Sequence, residues 1–144
     1  MGYPLQLRGL IQSQPMSGVY AIEVTLGQSE EITFGAAGDR ALEAGRYVYV
    51  GSAPNTSFAR VDRHREVAEG TRDTRHWHID YLLSSSYTEL TDTWTATEEE
   101  ECSLAKRLGR NSTVSEVGDL GASDCECNTH LFVLDEGRRL QDVV

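Results

Sequence analysis

From Gly18 the chain runs GVYAIEVTL, with apolar and polar positions at near alternation and β-branched and aromatic residues between them, which predicts a strand. A polar turn over 27–31 and a short ITF run follow, predicting that this strand folds back as a hairpin. Gly35, Gly38 and Gly45 then break the pattern into short pieces, and RYVYVGSA predicts a second strong strand at about 46–50. The lead-in over residues 1–17, with Pro4 and Pro15 among mixed polar residues, reads as an extended segment.

Beyond Pro54 the period changes. Asn55, Thr56 and Ser57 offer N-caps for a helix ending near Gly70, and a second helix is expected after Thr74, running through WHIDYLL to the serines at 84–86. YTELTDTWTA has strand alternation. Thr97 with Glu100 three residues on forms a capping box for a third helix, which Gly109 closes, and THLFVL predicts one last short strand. Strands first and helices later predict a small α+β domain over residues 18–134, with a polar C-terminal tail over 135–144.

A length of 144 residues suits one domain, and 39% hydrophobic residues are enough for an ordinary core, which excludes disordered and fibrous classes. No apolar run approaches the roughly 18 residues a membrane span needs, and with no targeting segment in view a cytoplasmic location is expected, without membrane partners. Charge adds a second constraint. Acidic residues number 23 against 13 basic ones, Lys106 is the single lysine, and the net charge is -10. Such a surface suits concentrated salt, where a short Debye length screens the self-repulsion, and predicts a halophilic cytoplasmic protein.

Two helices and two strands carry the chemistry. Glu101 falls one turn before Leu104, Ala105 and Leu108 on the same apolar stripe, so its carboxylate points inward. It then pairs with an arginine, ligates a hard cation, or reaches solvent from the frayed start of the helix. Arg60 and His64 at i and i+4 share a face and together suit a phosphate, although Asp62, Glu66 and Glu69 offer the plainer role of a solvated face. Residues 60–75 hold five arginines against four acids, a net +1 on a chain of net charge -10 and a hint of where an anion docks. Tyr20 ends the triplet GVY and Tyr49 opens YVG. If their strands pair, the phenols face one side, and Gly51 lets backbone approach a ligand closely.

GVY at 18–20, YVG at 49–51, RVDRH at 60–64 and ECSLAK at 101–106 resemble, in order and spacing, the two tyrosine triplets, the arginine-bearing helix and the metal-binding glutamate of the GIY-YIG nucleases. GRYVYVGSA, RHWHIDYLL and GASDCECNTHLF are similar to a mostly archaeal family of small proteins of unknown function grouped with those enzymes. The resemblance covers about residues 18–134. It departs from the nuclease pattern in GVY for GIY and in the asparagine after the glutamate helix, for which Asn111 is the candidate.

The resemblance implies a mostly antiparallel central sheet flanked by helices, and a divalent-metal-dependent endonuclease acting on DNA in repair or recombination, with other DNA-repair proteins as further partners. Tyr20, Tyr49, Arg60, His64 and Glu101 would be catalytic, with Glu101 holding Mg2+ or Mn2+. Arg60 would clamp the phosphorus, and a tyrosine would activate water as a phenolate stabilised by metal and arginine. Gly51, Ser52, Arg63, His78, Asp124 and His130 would line the substrate. A binding module that keeps the fold without useful catalysis is the rival reading.

Cys102, Cys125 and Cys127 are odd in number, and with no secretory signal they are expected as thiols, metal ligands or core rather than as a disulfide framework. Cys125, Cys127 and His130 lie within six residues and make zinc a further but weaker cofactor reading, since a fourth ligand would have to come from Asp124, His78 or Cys102.

Overall fold

The first apolar run does form a strand, but its partners are not the expected ones. In a computed structural model that describes residues 17–54, 58–72, 77–97, 100–111, 114–117 and 129–144, β1 (Ser17–Leu26) lies between two long antiparallel neighbours. These are β4 (Gly45–Pro54) and β5 (Thr88–Thr97). Since both edges of β1 are taken, β2 (Glu30–Thr33) turns away and pairs with β3 (Asp39–Leu42) in a separate two-stranded sheet. The expected β1–β2 hairpin is therefore replaced by a β2–β3 hairpin. Beyond β4 the main sheet continues through β7 (Leu131–Leu134) to β6 (Val114–Val117), in the order β5-β1-β4-β7-β6, with every pairing antiparallel.

Alternation along the strands gives the sheet two apolar faces. One carries Tyr20, Ile22, Val24, Tyr47 and Tyr49, covered by α1 (Ala59–Glu69), α2 (His78–Leu83) and residues of the small hairpin such as Ile32 and Leu42. The other carries Val19, Ala21, Val48, Val50 and Phe132, covered by Leu104, Ala105 and Leu108 of α3 (Glu101–Gly109). The fold is thus α+β, an antiparallel central sheet flanked by helices. A short α4 (Leu140–Val143) seals the second face, because its i, i+3 spacing turns Leu140 and Val143 to one side. The segment expected as a polar tail contributes to the core in this way.

Local signals set several boundaries. Gly70, at φ +81°, takes the left-handed conformation that ends α1, and its N–H donates to the Val67 carbonyl at 3.1 Å. Pro54 closes β4, and α1 starts at Ala59 after Phe58, with no side-chain cap; the expected caps at 55–57 lie outside the described residues. Thr97 belongs to β5, so the expected capping box is not formed, and Glu100 takes the N-cap position of α3. No helix among the described residues is long and apolar enough to cross a membrane.

Candidate functional site

The two tyrosine triplets meet across the β1–β4 pair. Tyr20 stands opposite Gly51 and Tyr49 opposite Ile22, which puts both phenols on the α1 face with ring centroids 6.5 Å apart. Gly51 is required by Tyr20 itself: a Cβ there would lie 2.2 Å from the Tyr20 Cζ and hydroxyl oxygen. The space that the sequence pattern assigned to a ligand is filled by this ring.

The phenol of Tyr20 is one end of a buried chain. Val61, His64 and Val67 share the inner face of α1, and His64 reaches the Tyr20 hydroxyl through Nε2 at 2.7 Å. Its Nδ1 stands 3.0 Å from Oδ1 of Asp80, whose Oδ2 accepts the Trp77 backbone N–H at 3.0 Å. With an ionised Asp80 accepting from Nδ1–H, Nε2 is left bare and accepts the Tyr20 proton; this tautomer follows from the network. Trp77 packs edge-on against the imidazole at 5.3 Å. Because both His64 nitrogens are engaged and the ring is fully buried, His64 does not share a phosphate with Arg60.

Burial pushes the Tyr20 phenol far above its ordinary range. Tyr49, Glu101 and Asp80 add to the shift, and Arg60 opposes it. Burial likewise raises Tyr49, with Glu101 and then Asp80 adding and Arg60 opposing. The phenolate expected from the sequence is therefore disfavoured at both positions among these residues.

Arg60 is fixed by β4. Its Nη1 donates to the Ser52 carbonyl at 3.2 Å and to the Ser52 hydroxyl at 2.9 Å, and its guanidinium lies 5.1 Å from the centre of the Trp77 ring. Ser52 thus serves to hold Arg60. Arg63 lies 5.2 Å from the same ring, and its buried Nε makes no hydrogen bond. Two guanidinium groups over one tryptophan ring gather positive charge on a chain of net charge -10.

Glu101 comes from the other side. The apolar stripe of α3 packs on the face opposite the tyrosines, while Glu101 at its start lies close enough to Tyr49 to help raise its phenol. Glu101 Oε2 stands 3.1 Å from Nδ1 of the buried His130, whose carbonyl accepts the Val50 N–H at 3.0 Å next to Tyr49. The Glu101–His130 contact has ion-pair distance without hydrogen-bond angles, and neither His130 nitrogen has a hydrogen-bond partner among the described residues. The side chain of Glu101 is 28% exposed, between the inward and solvent-facing extremes expected of it.

His78 opens α2 half-buried. Asn111 follows the C-terminus of α3, at the end of the helix away from Glu101, and its N–H donates to the Leu108 carbonyl at 3.0 Å. Asp124, Cys125 and Cys127 lie outside the described residues, and the described residues hold no group of three metal-binding side chains. Cys102 is disulfide-bonded, which corrects the expectation of free thiols and removes it as a zinc ligand. An odd cysteine count does not decide pairing, which depends on which segments the fold brings together.

Sequence reasoning missed Asp80 and Trp77. The available signal was a lone carboxylate inside the run HIDYLL, where an acid in an apolar helix needs a buried partner. The chain belongs to the family described as domain of unknown function DUF123, whose model matches residues 19–144. No curated protein and no solved structure matches the chain.

Proposed function

We propose that this chain is a divalent-metal-dependent endonuclease of the GIY-YIG type, hydrolysing DNA phosphodiester bonds in repair or recombination. The observation that supports this best is the buried chain Tyr20–His64–Asp80, beside an arginine that Ser52 and Trp77 hold in place. A module that only binds nucleic acid needs the arginines but has no use for a base aligned on a phenol.

The phenol acts here as a relay. An attacking water gives its proton to the Tyr20 oxygen while the Tyr20 proton passes to His64 Nε2, and Asp80 stabilises the imidazolium that results. No free phenolate forms, in keeping with the raised Tyr20. Nη1 of Arg60 is committed to Ser52, and its remaining N–H groups would bind phosphoryl oxygens and offset charge in the transition state. Glu101 fits a cation, being partly exposed and in contact with an imidazole that has no hydrogen-bond partner. With Glu101 holding it, a divalent ion would supply Lewis-acid polarisation of the phosphate and charge for the leaving alkoxide.

The test is cleavage of supercoiled and branched DNA with Mg2+ or Mn2+. Glu101→Gln should keep the fold and abolish metal-dependent cleavage, and Arg60→Lys should lower turnover far more than it weakens DNA binding, since lysine lacks the planar fork. Retention of normal cleavage by both variants, or DNA binding without cleavage by the wild type, would replace the nuclease with the binding module.

A further inference from the structure

A buried histidine normally spends its ring nitrogens on hydrogen bonds, because an unsatisfied buried polar group costs about 1–3 kcal/mol. His130 is 1% exposed and spends neither. Its Nδ1 nevertheless stands 3.1 Å from a carboxylate oxygen of Glu101, at angles unsuited to hydrogen bonding. Two donor atoms each about 2.1 Å from one ion stand about 3.0 Å apart when cis in an octahedral set, and about 3.4 Å apart in a tetrahedral one. The observed separation falls between these values.

We propose that His130 is a second protein ligand of the Glu101 metal site, giving it a mixed nitrogen and oxygen donor set that selects a divalent transition ion of the imidazole-binding class over Mg2+. The inference rests on the nuclease reading for the purpose of the ion, but not for its binding. Mg2+ is held by oxygen and keeps its waters, whereas imidazole raises affinity along the series towards cobalt, nickel and zinc. Position favours the pair as well. His130 sits just before β7, its carbonyl tied to Val50, and Glu101 opens α3, so two separate elements of the fold present the two donors. Among the described residues no other histidine contacts a carboxylate while both its nitrogens lack a hydrogen bond.

Co2+ is the probe, titrated calorimetrically into the full-length chain and followed by proton NMR for the paramagnetically shifted ring N–H of a coordinated histidine. The wild type should bind Co2+ at least tenfold more tightly than Mg2+ and show that resonance. His130→Asn should lose both the resonance and at least tenfold in Co2+ affinity, with Mg2+ affinity changed less than twofold. Should that buried variant fail to fold, Glu101→Gln carries the test, since it should also weaken Co2+ and remove the resonance. Bound Co2+ with no shifted resonance, or equal affinities for the two ions, overturns the His130 ligand and leaves the nuclease standing. DNA left uncleaved by a chain that binds Co2+ as described removes the nuclease and leaves the site.

Discussion

Replacing Gly51 by alanine introduces one methyl group at the point where the two tyrosine triplets cross. That methyl would lie 2.2 Å from both the Cζ and the hydroxyl oxygen of Tyr20, a ring with 1% exposure and no open space to enter. Overpacking of this kind costs about 1–3 kcal/mol. Displacing the ring also breaks its 2.7 Å bond to His64, leaving a buried imidazole nitrogen unsatisfied for about another 1–3 kcal/mol. The total of about 2–6 kcal/mol corresponds to a fall in Tm of roughly 7–20 °C for a domain of this size.

Thermal unfolding of Gly51→Ala, Tyr20→Phe and the double variant resolves the two parts. Phenylalanine keeps the ring that meets the new methyl but lacks the hydroxyl, so the hydrogen bond is lost once in the double variant. Its destabilisation should fall short of the sum of the single changes by about 1–2 kcal/mol. A Gly51→Ala midpoint within about 1 °C of wild type, or strict additivity, would refute the argument that Gly51 exists to seat Tyr20 on His64.

Three further outcomes follow from charge and covalent structure. Both phenols are raised by burial, so the folded chain holds their protons more tightly than the unfolded chain, whose tyrosines titrate near about 10. Their contribution is complete below that pH and is lost as pH rises above it, so urea midpoints should fall from pH 9.5 to 11, and less steeply in Tyr49→Phe; a flat profile would contradict the burial. With net charge -10, Tm should rise between dilute buffer and molar KCl as screening relieves repulsion, and a flat or falling series removes the halophilic reading. Reduction of the Cys102 disulfide should lower stability by about 2–4 kcal/mol, measured as a drop in the urea midpoint on adding a phosphine reductant, and an unchanged midpoint would show that the bond does not constrain the chain.

Much of the fold was legible because periodicity is a local property. Alternation in GVYAIEVTL, RYVYVGSA and YTELTDTWTA marked the three longest strands, and Gly70 marked the end of α1. Pairing was not legible, since which strand claims an edge depends on competition: β4 and β5 occupied both sides of β1 and left β2 to β3. The same division holds at the site. Tyr20, Tyr49, Arg60 and His64 were found by triplet and helical spacing and do converge, but their couplings were hidden. Spacing put His64 beside Arg60 on a helix face without telling that its ring turns inward to a carboxylate 16 residues away. It placed Glu101 on an apolar stripe without telling which face of the sheet that stripe covers.

Single-turnover cleavage by Tyr20→Phe and Tyr49→Phe, compared with wild type, tests the central claim most directly, because the two phenols share a strand pair and a face but only Tyr20 is bonded to a base. Loss of a proton relay should slow the Tyr20→Phe chemical step by about 10²–10⁴-fold while DNA affinity stays within about twofold. Tyr49→Phe should lose less than about tenfold. Equal losses in the two variants, or a Tyr20→Phe protein that cleaves at the wild-type rate, would contradict the relay through His64 and Asp80.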